Sequence, residues 1–409
     1  MITNKVNTEF WVITDTHLIA DSLHDDGQAF QRIQNTSQGK DLVYQETALR
    51  AFTDFANKKK PAAIIVTGDV TFNGELISAQ KFAEIFRNLN ETKLLVLPGN
   101  HDIYDGWARA FQGPNQLYAH QISPTDWQGI FKSSYDCAQS IDPNSLAYSV
   151  QLNKEYLLIL LDSNIYGEHE ASGAPATEGQ ISEEQIIWLE KQLESAKMKH
   201  LKPLLFMHHN LYVHNPAVNR GFVLNNAQTL CRLCQDYKVK IAFSGHIHAQ
   251  NIVEPQAKTP TTEIVTSSFC SYDQGYGIVK VRPDHIEYQR HTFDMKPFLT
   301  KKERLDSNLV HFHSYLKNIQ IRNLTGNSNK KDHLNDDQAR LLQKVSRLFI
   351  EMNYQYFTGH NHIEKKQLKN LYSSKEFKIL VSQRPQFSDY MKTLFDTTNH
   401  SNLNTEIWY

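Results

Sequence analysis

The chain is short of the features that mark several protein classes. It has no excess of either charge: 43 Lys plus Arg stand against 44 Asp plus Glu in 409 residues, a formal net charge of -1. Without a single-sign field it is not composed like a dedicated nucleic-acid binder or a polybasic membrane protein. It has no long apolar run; stretches such as Leu157–Leu161 fall far short of the roughly 20 residues a bilayer crossing needs. Four cysteines in this length are too few for a disulfide framework. Cys231 and Cys234 form a C-x-x-C with no second pair, on an amphipathic stretch with Leu230, Leu233 and Tyr237, and read as small buried apolar side chains. Met1–Thr8 is polar and Phe10–Ile13 is a short apolar stretch, unlike a secretory leader, so a reducing cytoplasm is the expected compartment. What remains is ordinary globular usage, 40% hydrophobic and 21% charged, enough for a sizeable core.

Up to about residue 296 the chain alternates between short apolar runs and helical stretches. Strands are expected at Phe10–Thr14, Ala62–Thr67, Leu94–Leu97, Tyr156–Leu161, Pro203–Met207, Lys240–Ser244, Glu263–Ser267, Gly277–Val281 and His285–Arg290. Between them, Tyr44, Ala48, Phe52, Phe55 and Ala56 share one helical face, and Ser182 with Gln185 reads as a capping box. Alternating strand and helix imply a layered α/β domain over 1–296. After Lys296 strand signals vanish. Leu305, Leu309, Phe312, Leu316 and Ile319 recur at helical spacing, as do Leu341, Val345, Leu348, Phe349 and Met352. A helical domain is therefore expected over 297–409, with Asn323–Asp337 as a solvated loop. Packing back, a lid and dimerisation are all open to it.

The chemistry lies where the apolar runs end, because a buried strand delivers the residues after it to the sheet's carboxyl edge. Five runs end in metal-capable groups: Asp15 and His17 (D-x-H), Gly68-Asp69, Gly99-Asn100-His101-Asp102, His208-His209, and Gly245-His246-Ile247-His248. Each alone is weak in a chain with 19 histidines, but five in order at strand ends are not a plausible accident. Carboxylates, imidazoles and one amide, with no thiolate, suit first-row ions such as Mn, Fe, Zn, Co or Ni better than Mg or Ca. The donors are too many for one tetrahedral zinc and fit two ions sharing a carboxylate. Glycines before Asp69, Asn100 and His246 allow sharp turns there.

The order D-x-H, G-D, G-N-H-D, H-H, G-H-x-H resembles the calcineurin-like metallophosphoesterases over about residues 9–292. Gly68–Glu75 and the helical tail look like the bacterial branch that includes cyclic-nucleotide phosphodiesterases. The resemblance implies an αββα sandwich of two sheets with a smaller helical C-terminal domain, and two divalent ions with Mn or Fe favoured. It implies that Asp15, His17 and His248 bind one metal, Asn100, His208 and His246 the other, and Asp69 bridges them. His101 would sit over the phosphate and protonate or orient the leaving oxygen, with Asp102 holding its imidazole. A water or hydroxide shared by the metals would attack phosphorus in line. The family usually has Pro after its H-H pair, where this chain has Asn210.

The implied substrate is a small phosphodiester, with cyclic nucleotides preferred; a phosphomonoesterase or a protein or nucleotide phosphatase on the same site is the alternative. No long nucleic acid and no membrane partner are expected. Asn73, Tyr104 and His214 come after strand-end motifs and are candidate substrate contacts. Aromatics of Trp107–Tyr135 read as core or loop packing, with a pocket wall as the alternative. A second G-H-x-H, Gly359–His362, comes after no convincing strand and reads as a helix-end or loop feature.

Overall fold

The computed structural model describes residues 1–325, 336–398 and 400–409. Fifteen strands build it: β1 (Thr8–Ile13), β2 (Ala63–Thr67), β3 (Lys93–Leu97), β4 (Arg109–Gln112), β5 (Asn115–Tyr118), β6 (Ser140–Ile141), β7 (Tyr148–Gln151), β8 (Tyr156–Leu160), β9 (Lys202–Phe206), β10 (Ile241–Ser244), β11 (Asn251–Val253), β12 (Thr262–Val265), β13 (Gly275–Val281), β14 (His285–Thr292) and β15 (Asn404–Trp408). One sheet has the order β15-β14-β13-β1-β2-β3 and a second the order β11-β12-β10-β9-β8-β7-β6, while β4 and β5 form a separate hairpin. Strands β1, β2 and β3 run parallel, as do β8, β9, β10 and β12.

The two sheets face each other. Phe10 meets Phe206 and Phe243 edge-on at centroid distances of 6.0 and 6.3 Å, while its neighbour Trp11 turns outward onto Phe52 and Phe55 of the helix Gln45–Lys59. The central strands are thus apolar on both faces, which is why their sequences are continuous apolar runs rather than alternations. On the far side, Leu157, Ile159, Leu205 and Ala242 pack with Leu189, Leu193, Leu230 and Cys234 from the helices Glu183–Met198 and Ala227–Asp236. The αββα layering is the expected one, and Cys234 is a buried, unbridged core residue.

All nine expected strands form, within a few residues at their ends. Two local expectations need correction. Only half of the capping box exists: Ser182 Oγ accepts from Gln185 N at 3.1 Å, but the Gln185 side chain spans to the backbone of Asp162. Strand structure also does not end at residue 296, because β15 pairs antiparallel with β14 and extends the first sheet by its edge.

The C-terminal region carries several helices, among them Phe312–Thr325, Asp336–Thr358, Lys365–Ser373 and Lys375–Gln383. Residues 326–335 of the expected loop lie outside the described residues. The region packs back on the sandwich. Leu309, Phe312, Leu316 and Ile319 join the main core, and Phe349, Met352, Tyr356 and Leu380 share a core with Ile247 and Ala249, which flank His248. The helix Asp336–Thr358 ends before Gly359, and His360 Nδ1 turns to Thr358 Oγ1 at 3.1 Å, so the second G-H-x-H is a helix end.

Candidate metal centre

The five motif loops leave the carboxyl ends of β1, β2, β3, β9 and β10, and their metal-capable residues meet at that edge of the two sheets. The structure brings Asp15, His17, Asp69 and His248 into one group of donors and Asp69, His208 and His246 into another, with donor atoms within 4.8 Å of one another in each. His248 Nε2 stands 3.3 Å from Asp15 Oδ1 and 3.1 Å from His17 Nε2. His17 Nε2 and His208 Nε2 lie 3.6 and 3.4 Å from Asp69 Oδ2. Asn100 Oδ1 lies 3.2 Å from His208 Nε2. Donors held about 2.1 Å from a common ion, at tetrahedral or octahedral angles, are roughly 3.0–3.4 Å apart, so the spacing fits a metal. Asp15 Oδ1 is buried and accepts no hydrogen bond, an orphan that a cation would satisfy.

Hydrogen bonds fix which ring nitrogen each histidine offers. His208 Nδ1 faces Thr67 O at 2.8 Å, and since a carbonyl only accepts, Nδ1 carries a proton and Nε2 is the nitrogen turned to the cluster. His246 Nε2 donates toward Thr177 O and Gly221 O at 3.0 and 3.1 Å, which leaves Nδ1 for the cluster. His209 spends Nδ1 on Ser163 Oγ and Nε2 on Thr177 O, so the second histidine of the pair is structural. Asn210, where Pro is usual, ties this loop to the G-H-x-H loop through Ser244 Oγ at 3.1 Å and Gly245 O at 3.0 Å.

The electrostatics are set by burial. Burial, then the charge of Lys40, pushes His17 well below the usual histidine range, and burial with His208 pushes His246 down to about 3. Both are neutral rings with lone pairs to give. Burial opposes ionisation of Asp69, but His208, His101 and His17 around it outweigh that and hold its carboxyl well below the usual range. Burial likewise opposes a charge on His208, yet Asp69 pushes it up to about 9. Backbone strain concentrates here too: Asp15, His17, Asp69, His246 and His248 all have φ between 40° and 69°. Such conformations in non-glycine residues persist only where surrounding contacts enforce them. Gly99 is required for another reason, since a Cβ there would stand 2.2 Å from Asp69 Oδ1.

One expected partnership is corrected. The Asp102 carboxylate does not hold His101; it accepts backbone N–H from Gly99, Val70 and Thr71 at 2.8–3.1 Å and staples the G-D and G-N-H-D loops together. Asp105 does that work instead, with Oδ2 3.1 Å from His101 Nδ1. Its only sequence signal is its place four residues after the histidine. His101 N also donates to Asp69 Oδ1 at 2.9 Å.

The cluster opens into a cavity of about 480 Å³ lined by Lys40, Asn73, Asn100, His101, Trp107 and Phe222 among others. Asn73 is on the wall of this cavity. Tyr104 is not on that wall: it packs against the main core. Nor is His214, whose side chain is buried with Nδ1 2.8 Å from Asn251 Oδ1 and Nε2 3.0 Å from Glu263 Oε2, behind the loop. Trp107, expected in packing, is half exposed and forms cavity wall. A second chamber of about 760 Å³ shares Thr36, Gln38, Phe222, His246 and His248 with the first and is closed by Phe349, Tyr356, Arg384 and Phe387 of the C-terminal region.

Residues 8–250 match the family model of the calcineurin-like phosphoesterases, and the chain belongs to that family. Residues 294–400 match the C-terminal domain of cyclic nucleotide phosphodiesterase. The chain is therefore a hydrolase of phosphoric esters. It is 24% identical over 281 residues to a 3',5'-cyclic adenosine monophosphate phosphodiesterase, CpdA, of Vibrio vulnificus, covering 68% of this chain and 84% of that one. It is 30% identical over 199 residues to a probable glycerophosphodiester phosphodiesterase, GpdQ, of Arcobacter nitrofigilis, covering 47% of this chain and 58% of the relative. A dimetal phosphatase from Danio rerio shares the fold with a TM-score of 0.52 at 13% identity, over 70% of this chain and 96% of that chain. Among the described residues no helix is long and apolar enough to cross a membrane.

Proposed function

We propose that the chain is a dimetal-dependent phosphodiesterase of small substrates, with cyclic nucleotides as the preferred class. The observation that carries this is Asp69, whose carboxylate belongs to both donor groups. Asp15, His17 and His248 would hold one ion, Asn100, His208 and His246 the other, with Asp69 between them. The mixed imidazole and carboxylate set suits first-row transition-metal ions, among which the family resemblance favours Mn or Fe. Bound ions would supply Lewis acidity, neutralising phosphate charge and making water a competent nucleophile.

The rest is done by the chain. Donors aimed at where charge develops act strongly in a buried site. His101, on the cavity wall, keeps its ring oriented through Asp105 and offers its other nitrogen to the leaving oxygen. Asn73, on the cavity wall, would contact a non-bridging oxygen or a ribose hydroxyl. The second chamber leaves room for the ester groups of a small diester, and the near-zero net charge of -1 gives no field for long nucleic acid.

A panel of monoesters, linear diesters and 2',3'- and 3',5'-cyclic nucleotides, assayed with metal-replete protein, tests the reading. Turnover of diesters is expected to exceed that of monoesters. Faster monoester hydrolysis would favour the phosphatase alternative, and no turnover of bis(p-nitrophenyl) phosphate or any cyclic nucleotide would reject the proposal.

A further inference from the structure

The cavity beside the donor cluster contains a cation with no part in metal binding. Lys40 lines it together with Asp69, Asn100, His101, His246 and His248, and is the lone Lys or Arg among the described lining residues. No carboxylate among the described residues pairs with it. The neighbouring acid, Asp41, is committed elsewhere: its carboxylate accepts from Val43 N, Gln45 Nε2 and Tyr315 Oη at 2.8–3.0 Å.

The backbone carrying Lys40 is fixed from several sides. Ser37 Oγ donates to Lys40 O at 3.0 Å, and Asp41 N donates to Cys270 O at 2.8 Å. From the helix Phe312–Thr325, Gln320 Nε2 donates to Gly39 O at 2.9 Å and Tyr315 Oη to Asp41 Oδ1 at 3.0 Å. Gly39 has φ +88°, and a Cβ there would stand 2.0 Å from Gln320 Nε2, so loop and helix are in close contact. An ammonium without a counter-ion, held at the wall of an anion-receiving cavity, is completed by an anion entering it.

We infer that Lys40 binds a non-bridging oxygen of the substrate phosphate, as a positive charge separate from the donor cluster, and that the helix Phe312–Thr325 positions it. The inference rests on the phosphodiesterase reading and gives the C-terminal region a part in the reaction. Lys40 keeps its proton throughout; its role is to bind charge in the ground state and in the transition state. Tyr315 and Gln320 act through the loop and are positioning residues.

Calorimetric titration of inorganic phosphate into metal-loaded protein, beside diesterase kinetics and elemental analysis, tests it. Lys40→Met and Lys40→Gln are expected to weaken phosphate binding about 10-fold and to lower kcat/KM by about 10- to 100-fold, with melting temperature and metal content unchanged. Lys40→Arg is expected to recover most of the affinity. Tyr315→Phe is expected to weaken phosphate binding about 3-fold alone and not at all in a Lys40→Met background. Wild-type phosphate affinity in folded, metal-loaded Lys40→Met and Lys40→Gln would overturn the inference while leaving the phosphodiesterase reading intact. Lys40-dependent phosphate binding in a protein that hydrolyses no diester would reject that reading and keep the inference about Lys40.

Discussion

The strand-end loops and the C-terminal helices are held in opposite ways. Among the strand-end residues, Asp15, His17, Asp69, His246 and His248 sit in strained left-handed backbone, and the loops have polar partners specified atom by atom: Asp102 on three backbone amides, His208 on Thr67, His246 on Thr177 and Gly221. The helices instead dock through broad apolar faces, Val345, Phe349, Met352 and Tyr356 against Ile247 and Ala249. Directional polar contacts fix positions to tenths of an ångström and tolerate little change, whereas apolar packing fills space and accepts volume-conserving substitution. The catalytic edge needs the first kind of order; the chamber wall needs only the second.

Substitutions in the two regions should therefore differ in kind as well as size. Asp69→Asn, which alters the carboxylate common to both donor groups, is expected to lower activity on the order of 10³-fold or more and to reduce bound metal by elemental analysis. His101→Asn is expected to lower kcat by about 10²–10³-fold with metal content unchanged, and Asp105→Asn by about 10-fold. Asp102→Ala should act on folding instead, removing the acceptor of three backbone amides and costing about 3 kcal/mol in a denaturant titration. If Asp102→Ala altered kcat without altering stability, the assignment of Asp105 to His101 would be wrong.

A pH titration sharpens the same contrast. Glu75 is fully buried behind the cavity, and that burial pushes its carboxyl from 4.5 up to about 8. Above pH 4.5 the unfolded chain loses this proton while the folded chain keeps it, so the group's contribution to stability is complete below about 4.5 and lost as pH rises through about 8. Glu75→Gln is expected to flatten this slope and raise stability at pH 8 by about 1–3 kcal/mol, read by urea unfolding at pH 5 and pH 8. The smallest effect belongs to the helical wall. Phe387 is 41% exposed at the edge of the second chamber, and Phe387→Ala is expected to raise KM about 2- to 5-fold for diesters with a large ester group while leaving kcat and melting temperature unchanged. An equal loss on a small dimethyl-type diester would show that the chamber does not receive the substrate.

The same contrast explains what the sequence made legible. Donor residues at strand ends could be read because strands with both faces buried are continuous apolar runs, and the residues after them land at the sheet edge. The partner of His101 could not, because Asp102 and Asp105 are both acids in the same loop and only the turn decides which one faces the ring. His214 failed for a related reason: a histidine after a motif can fall behind the loop as easily as in front of it, and Glu263 on β12 captures it there. Lys40 had no signal at all, since its place beside the cluster depends on Cys270 and on a helix some 280 residues away in sequence. β15 was hidden because five residues at the chain's end carry little periodicity, and its pairing with β14 comes from an open sheet edge.

The central claim is that Asp69 joins two cation sites into one centre. Titrating Mn²⁺ or Fe²⁺ into metal-free protein, with bound metal counted by elemental analysis and diester hydrolysis followed at each addition, tests it most directly. The account predicts two equivalents per chain, activity that appears with the second, and a loss of affinity at both sites in Asp69→Asn. Saturation at a single equivalent with full activity, or two sites indifferent to Asp69→Asn, would contradict it.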